Sequence, residues 1–323
     1  MKWTLAAYYK FFDLENLGNI QSQLLSKATE IGLCGSTLIA PEGINGTMAG
    51  LGDTIREWLT FLEQDMGFGP IEAKFSIQNG DPPFRRCKIR LKTEIVHLGR
   101  PEIRPDTCAV GTYVEAKDWN ALISDPDVRV IDTRNDFECE VGTFEGAENP
   151  HTDSFGDFPE FVRTRMHPEK DKKVAMFCTG GIRCEKATAY LLEQGFQAVY
   201  HLKGGILKCF EEVPEPESLW RGECFVFDDR ITVNHKLEPG DTDCCRGCWN
   251  PLLPGDREHA HFEEGVCCPR CFETKTEKQL AGARERERQR ILAGQRAAQT
   301  GVSSSRHDKT ARLIPDAAAD PGK

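Results

Sequence analysis

The sequence predicts a multidomain α/β protein: an α+β N-terminal domain, a central α/β domain with a parallel sheet, a small cysteine-rich module and a polar tail. Three observations predict it. Residues 1–105 mix strand-like and helix-like patterns, residues 113–216 alternate strands with helices, and beyond Pro214-Glu215-Pro216 the cysteines fall into Cys-x2-Cys pairs. A chain of 323 residues has room for two or three domains, each able to bury a core.

The elements follow in order. Trp3 to Phe12 is β-rich. Leu17 to Ile31 places Leu17, Ile20, Leu24, Leu25, Ala28 and Ile31 at helical spacing. Strands are expected over Ser36 to Ala40 and Gly43 to Met48, then a helix from Asp53 to Gln64. Further strands are expected near Ile71 to Ile77, Cys87 to Leu91 and Ile95 to Leu98. This order predicts a ferredoxin or acylphosphatase-like α+β sandwich over 1–105. In the central domain, Lys172 to Phe177 reads as a short buried strand and Glu185 to Gln194 as a helix stopped by Gly195.

Between that strand and helix lies Cys178-Thr179-Gly180-Gly181-Ile182-Arg183-Cys184. A cysteine at the carboxyl end of a parallel strand occupies the place where open α/β sheets put their sites. Gly180 and Gly181 free the backbone to turn N–H groups inward, and the helix N-terminus adds partial positive charge. The loop therefore favours a thiolate or persulfide, and the Cys178 pKa is expected to fall. A cysteine-phosphatase loop carries one residue more between cysteine and arginine than Thr179 to Ile182 provide, so this tighter cradle suits sulfur better than phosphate. Arg183 is expected to orient the loop and stabilise negative charge. Cys184 reads either as a resolving thiol or as a small buried side chain of the first helical turn.

This Cys-x-x-Gly-x-Arg loop resembles the active loop of the rhodanese family. Asp132-Thr133-Arg134 after Val128 to Ile131, Glu145-Gly146-Ala147, and Leu202-Lys203-Gly204-Gly205-Ile206 are similar to further rhodanese features. Asp132 and Arg134 are expected to shape the loop as a carboxylate–guanidinium pair. The central α/β domain, 113–216, is therefore expected to be a rhodanese domain.

The remaining segments divide by composition. Fourteen cysteines without an export signal point to reduced thiols, metal ligands or redox chemistry. Cys245 with Cys248, and Cys268 with Cys271, form two knuckles separated by nineteen residues, the spacing of a four-thiolate zinc ribbon over 217–275. Adjacent Cys244 and Cys267 leave the pairs able to slip by one residue. Over Lys275 to Arg296, seven Lys or Arg stand against three Glu, which reads as a solvated charged helix within 276–300, with an RNA-backbone contact as the alternative. Residues 301–323 have the composition of a disordered tail. A net charge of −10 argues against non-specific nucleic-acid binding by the whole chain but allows a local basic patch. Arg85, Arg86, Lys88, Arg90 and Lys92, on and before one strand, are the candidates. No run of about 18 apolar residues appears, so no membrane association is expected, and Met1-Lys2-Trp3-Thr4-Leu5 does not open a signal peptide. The expectation is a soluble, cytoplasmic protein.

Four separated motifs, Ala40 to Thr47, Phe84 to Val96, Cys178 to Lys186 and Val226 to Arg230, together resemble the tRNA uridine-34 hydroxylase family over residues 1 to about 300. The resemblance implies a rhodanese-domain oxidoreductase that makes 5-hydroxyuridine at the tRNA wobble position. Its catalytic cysteine maps onto Cys178. It implies molecular oxygen and a reductant as co-substrates and the tRNA anticodon loop as partner. The loop residues alone read as a sulfurtransferase working through a Cys178 persulfide. A non-catalytic zinc-dependent RNA-binding protein is the third reading, weakened by an intact Cys178 and Arg183.

Overall fold

A computed structural model describes residues 1–228 and 230–300 of the chain. The tail expected to be disordered, 301–323, and Asp229 of the fourth motif lie outside the described residues. The described residues form two compact units, one of Met1–Arg134 with Gly146–Val213, the other of Asn135–Glu145 with the described residues from Pro214 to Thr300.

The first unit opens with β1 (Lys2–Phe11), α1 (Leu17–Glu30), β2 (Cys34–Ala40), β3 (Gly43–Leu51), α2 (Thr54–Thr60), β4 (Ala73–Asn79) and β5 (Cys87–Leu91). The strands make one sheet in the order β4-β1-β3-β2-β5, antiparallel except for the β2–β5 pair. Helices cover one face. Leu24 and Ala28 of α1 and Ile55 and Trp58 of α2 pack on Ala6, Tyr8, Ile39, Ile44 and Met48, the apolar stripe that the helical spacing implies. The expected helix from Asp53 stops early as a regular helix and runs on through a π turn, Phe61–Asp65.

The expected strand over Ile95 to Leu98 does not form. Its backbone donors go to buried carboxylates instead of a ladder. Ile95 N donates to Glu42 Oε1 at 2.6 Å, and Leu98 N and Gly99 N donate to Glu94 at 3.2 and 3.0 Å. An apolar alternation read from sequence cannot distinguish these two ways of satisfying a buried backbone.

The same unit continues with β6 (Thr112–Val114), α3 (Ala116–Ile123) and β7 (Val128–Asp132). After α4 (Asp136–Cys139) and β8 (Gly142–Phe144), which belong to the second unit, come α5 (Phe158–Arg165), β9 (Lys173–Phe177), α6 (Ile182–Glu193), β10 (Ala198–Leu202) and α7 (Gly205–Glu212). The sheet is wholly parallel, in the order β6-β10-β9-β7. Val174 to Phe177 of β9 are buried without alternation, as a strand covered on both faces requires.

In the second unit, β11 (Trp220–Gly222) pairs with β8, and β12 (Cys224–Phe225) with β13 (Thr232–Val233). The short α8 (Pro269–Phe272) and the long α9 (Glu277–Thr300) follow. No helix among the described residues is long and apolar enough to cross a membrane.

Candidate active site

Cys178 sits directly after β9, and α6 begins at Ile182, with Gly181 as its N-cap at φ 100°. Three carbonyls of the intervening loop are pulled outward. Ile206 N at the start of α7 donates to Cys178 O at 3.0 Å, Leu207 N donates to Thr179 O at 3.2 Å, and Lys74 Nζ donates to Gly180 O at 2.9 Å. Since each peptide unit carries its N–H opposite its C=O, the loop's donors turn toward the sulfur. Gly181 N donates to Cys178 Sγ at 3.1 Å. Only glycine fits at 205, where a Cβ would stand 2.5 Å from Cys178 O and 2.7 Å from Thr179 O.

Burial alone would raise the Cys178 thiol. The Cys184 S–H donor, the Arg183 guanidinium and the N–H groups of Cys184 and Gly181 outweigh it and hold Cys178 down at about 5. Cys184 moves the opposite way, well up, because it is buried and donates to a sulfur anion. Cys184 Sγ also lies 3.6 Å from Thr133 Oγ1, and Thr133 donates through N and Oγ1 to Phe177 O at 3.0 and 2.9 Å. Arg183 Nη2 donates to Thr179 Oγ1 at 3.3 Å. Cys178 is 1 % exposed and Arg183 8 %.

The N-terminal domain supplies part of this site. Tyr9 OH donates to Glu185 Oε1 at 3.3 Å, and Tyr113 OH donates to Glu185 Oε2 at 2.7 Å. A Cβ on Gly181 would come 3.0 Å from Tyr9 OH, so the tyrosine lies over the start of α6. Burial pushes Glu185 up, Tyr113 and Tyr9 draw it down, and the charge of Cys178 raises it again, for a net rise. At the next residue, Lys186 Nζ meets Glu42 Oε2 at 2.8 Å and Glu94 Oε1 at 2.5 Å, with all three side chains 2 % exposed or less. Asn45 Nδ2 donates to Ile95 O at 2.9 Å. Residues of the Ala40–Thr47, Phe84–Val96 and Cys178–Lys186 motifs thus meet in space.

Of the residues expected at the site, Cys178, Thr179, Gly180, Gly181, Ile182, Arg183 and Cys184 form one loop and helix start. Asp132 and Arg134 pair with each other, fully buried, through Arg134 Nε and Nη2 to Asp132 at 2.9 and 2.6 Å. Thr133, between them, bonds to both Phe177 and Cys184. Register puts Arg90 opposite Leu38, Leu38 opposite Asn45, and Asn45 opposite Tyr9, so Arg90 and Lys88 share the sheet face of Tyr9. Arg85 and Arg86 are exposed before β5, and Lys92 is half-buried just after it. Tyr9, Glu42, Lys74, Glu94, Tyr113, Thr133, Glu185 and Lys186 carry no local pattern that marks them as site residues. The one available signal was that four of them, Glu42, Glu94, Glu185 and Lys186, fall inside the motifs of the family resemblance.

In the second unit, Cys245, Cys248, Cys268 and Cys271 bring their sulfurs within 4.8 Å of one another. The Cys245–Cys271 and Cys248–Cys268 sulfurs are 3.8 and 3.7 Å apart. A tetrahedron with metal–sulfur bonds of about 2.3 Å has edges of about 3.8 Å, so the cluster can hold a metal such as zinc. The register that Cys244 and Cys267 left open is resolved: Cys267 Sγ donates to His261 O at 3.4 Å, and Cys244 pairs in a bridge with Pro251. On α9, Arg284, Arg288 and Arg290 pair with Glu263, Glu285 and Glu287, as a solvated charged helix does.

A family model described as a UPF0176 acylphosphatase-like domain matches residues 3–95, and one described as a rhodanese-like domain matches 115–212. The chain joins a UPF0176 acylphosphatase-like domain to a rhodanese-like domain. That pairing is consistent with the UPF0176 family and fits a sulfurtransferase-like or tRNA-modifying role. Among solved structures, a protein of unknown function from Rhodopseudomonas palustris CGA009, described as a possible tyrosine phosphatase, is 25% identical over 29% of this chain and 76% of its own, with a TM-score of 0.25. A rhodanese-related protein from Thermoplasma volcanium is 24% identical over 32% of this chain and 93% of its own, TM-score 0.25. An acylphosphatase from Coxiella burnetii is 13% identical over 28% of this chain and 93% of its own, TM-score 0.21. The domain assignment stands on the two family models.

Proposed function

We propose that the chain is an oxygen-dependent tRNA uridine-34 hydroxylase in which Cys178 is the catalytic thiolate. The observation that carries this reading is the composite loop. The acylphosphatase-like domain places Tyr9 and Lys74 on the Cys178 loop, and its sheet face also carries Lys88 and Arg90. Sulfur exchange with small anions calls for no extended cationic face, such as Lys88 and Arg90 provide, beside the loop. A thiolate acting on a pyrimidine in tRNA does, because such a face supplies groups for the phosphates while closure excludes water from the base. The wobble base is already single-stranded, so little unstacking opposes its entry.

The proposed chemistry starts with Cys178 adding to C6 of the uracil, which places electron density at C5. One atom of molecular oxygen is delivered to C5. The other leaves as water, reduced by two electrons from the reductant. Loss of the C5 proton then expels the thiolate and restores the ring. Arg183 and the loop N–H groups stabilise the sulfur anion before addition and after expulsion. Glu185, raised in pKa and linked to Tyr9 and Tyr113, is the carboxyl placed to exchange that proton. Delivery through a sulfur–oxygen species on Cys178 uses the same cradle.

Nucleoside mass spectrometry of tRNA from cells lacking the protein tests this. Loss of 5-hydroxyuridine-derived nucleosides, restored by wild type and not by Cys178→Ala, is expected. Unchanged nucleosides would sink the assignment. Sulfur transfer from thiosulfate to cyanide, measured in parallel, reports on the sulfurtransferase reading that the isolated loop supports.

A further inference from the structure

Lys74 is a half-buried cation on β4, at the face of the sheet that also bears Tyr9, since Ala7 opposite it lies two residues from Tyr9 on β1. Its Nζ donates to Gly180 O at 2.9 Å and also to Gly204 O, one carbonyl from each of the two turns that build the Cys178 site. Among the described residues it forms no ion pair with a carboxylate. An ammonium withdrawn from water is costly unless an opposite charge stands near it. The charged groups around it are Cys178 on the loop, Glu211 and Lys208 on α7, and Glu72 just before β4. Burial draws the Lys74 pKa down, and the charge of Cys178 is the first to draw it back. Facing Cys178 itself are Arg183 and Cys184 from α6, with Glu185 and Tyr9 beyond them.

We propose that Lys74 is a positioning residue of the Cys178 site: its ammonium holds the loop carbonyls outward and serves as counter-charge to the sulfur anion, so the reactive loop is completed only when both domains are docked. Two of its three N–H bonds are used by Gly180 O and Gly204 O, which fixes the nitrogen beside the cradle. The role requires only that Cys178 be an anion, so it holds for base hydroxylation and sulfur transfer alike, and its failure is distinct from failure of the tRNA reading.

The test is the pH dependence of Cys178 alkylation by iodoacetamide in the full chain, followed on the Cys178 peptide by mass spectrometry. Lys74→Met removes both donors and charge, whereas Lys74→Gln keeps a donor and loses the charge. Both are expected to raise the midpoint by about one pH unit, a tenfold loss of alkylation rate below both midpoints. An unchanged midpoint in folded Lys74→Met, or a wild-type midpoint in Lys74→Gln, would overturn the counter-charge. Should neither variant fold, the reciprocal measurement uses the intact lysine. In Cys178→Ser the neutral hydroxyl should leave Lys74 several-fold more reactive toward acetic anhydride at neutral pH than in wild type, and equal reactivity would overturn the proposal just as surely.

Discussion

Cys178 and Cys184 are the same residue type six positions apart, and their surroundings drive their pKa values in opposite directions. Cys178 receives hydrogen bonds from Cys184 and from backbone, with Arg183 adjacent; Cys184 gives its S–H to that anion. Cys184 therefore acts as a donor in this state, since a thiol held protonated is a poor nucleophile. The sign of the pH dependence follows. With Cys178 depressed to about 5, its alkylation rate should be flat from neutral pH down to about 6 and fall to half near 5. Cys184→Ala removes a donor and should move that midpoint up, whereas Cys184→Ser retains a hydroxyl donor and should move it less; a midpoint indifferent to both would refute the donor role. A group with a depressed folded-state pKa also stabilises the fold above its unfolded value near 8.5. That contribution is lost as pH falls toward 5. The cysteine, the glycines and the arginine were legible in the sequence because they lie within one turn. Thr133 was not, because its role depends on β7 lying beside β9.

At the scale of elements, α6 joins reaction site to domain docking. Its first turn carries Arg183, Cys184, Glu185 and Lys186, so consecutive residues point to the loop, the core, Tyr9 and the carboxylates of the N-terminal domain. Lys186, Glu42 and Glu94 are buried together, and Glu42 and Glu94 also hold the backbone of Ile95, Leu98 and Gly99. Lys186→Met leaves two buried carboxylates without their cation and should cost about 3–5 kcal/mol in urea unfolding. Restoring charge balance with Glu42→Gln and Glu94→Gln in the same chain should recover much of that loss. A Lys186→Met chain as stable as wild type would show the triad to be incidental. These contacts explain where sequence reading stopped. The strands and helices were legible from periodicity, but the stretch after Glu94 reads as a strand by apolar alternation while its N–H groups answer to carboxylates, that of Ile95 to Glu42 53 residues away and those of Leu98 and Gly99 to Glu94. The Lys74, Tyr9 and Lys186 partners lie 92 to 176 residues away, where no local pattern reaches.

For the whole molecule, the cysteine cluster is part of a folding unit that also takes a piece of the central sequence. Residues 135–145 leave the rhodanese-like stretch for the second unit, where β8 pairs with β11, Phe137 packs edge-on against Phe225 at 5.1 Å, and Glu140 pairs with Arg270 of α8. Of the seven buried core residues around the cluster, four are cysteines: the candidate ligands Cys245, Cys268 and Cys271, with Cys267 beside them, while Cys248 packs at the edge. A core so dependent on sulfur has little apolar area to hold it, so if the four sulfurs carry a cation, metal binding and folding are expected to be one equilibrium in this module. Elemental analysis should therefore find about one zinc per chain, and Cys271→Ser should bring it well below that. The effect should also travel along the chain. Because α8 and β11 clasp residues 135–145, chelation should speed amide exchange at Gly142 to Phe144. Metal-free protein with unchanged exchange there would mean that β8 is held by its own pairing and packing, independently of the cluster.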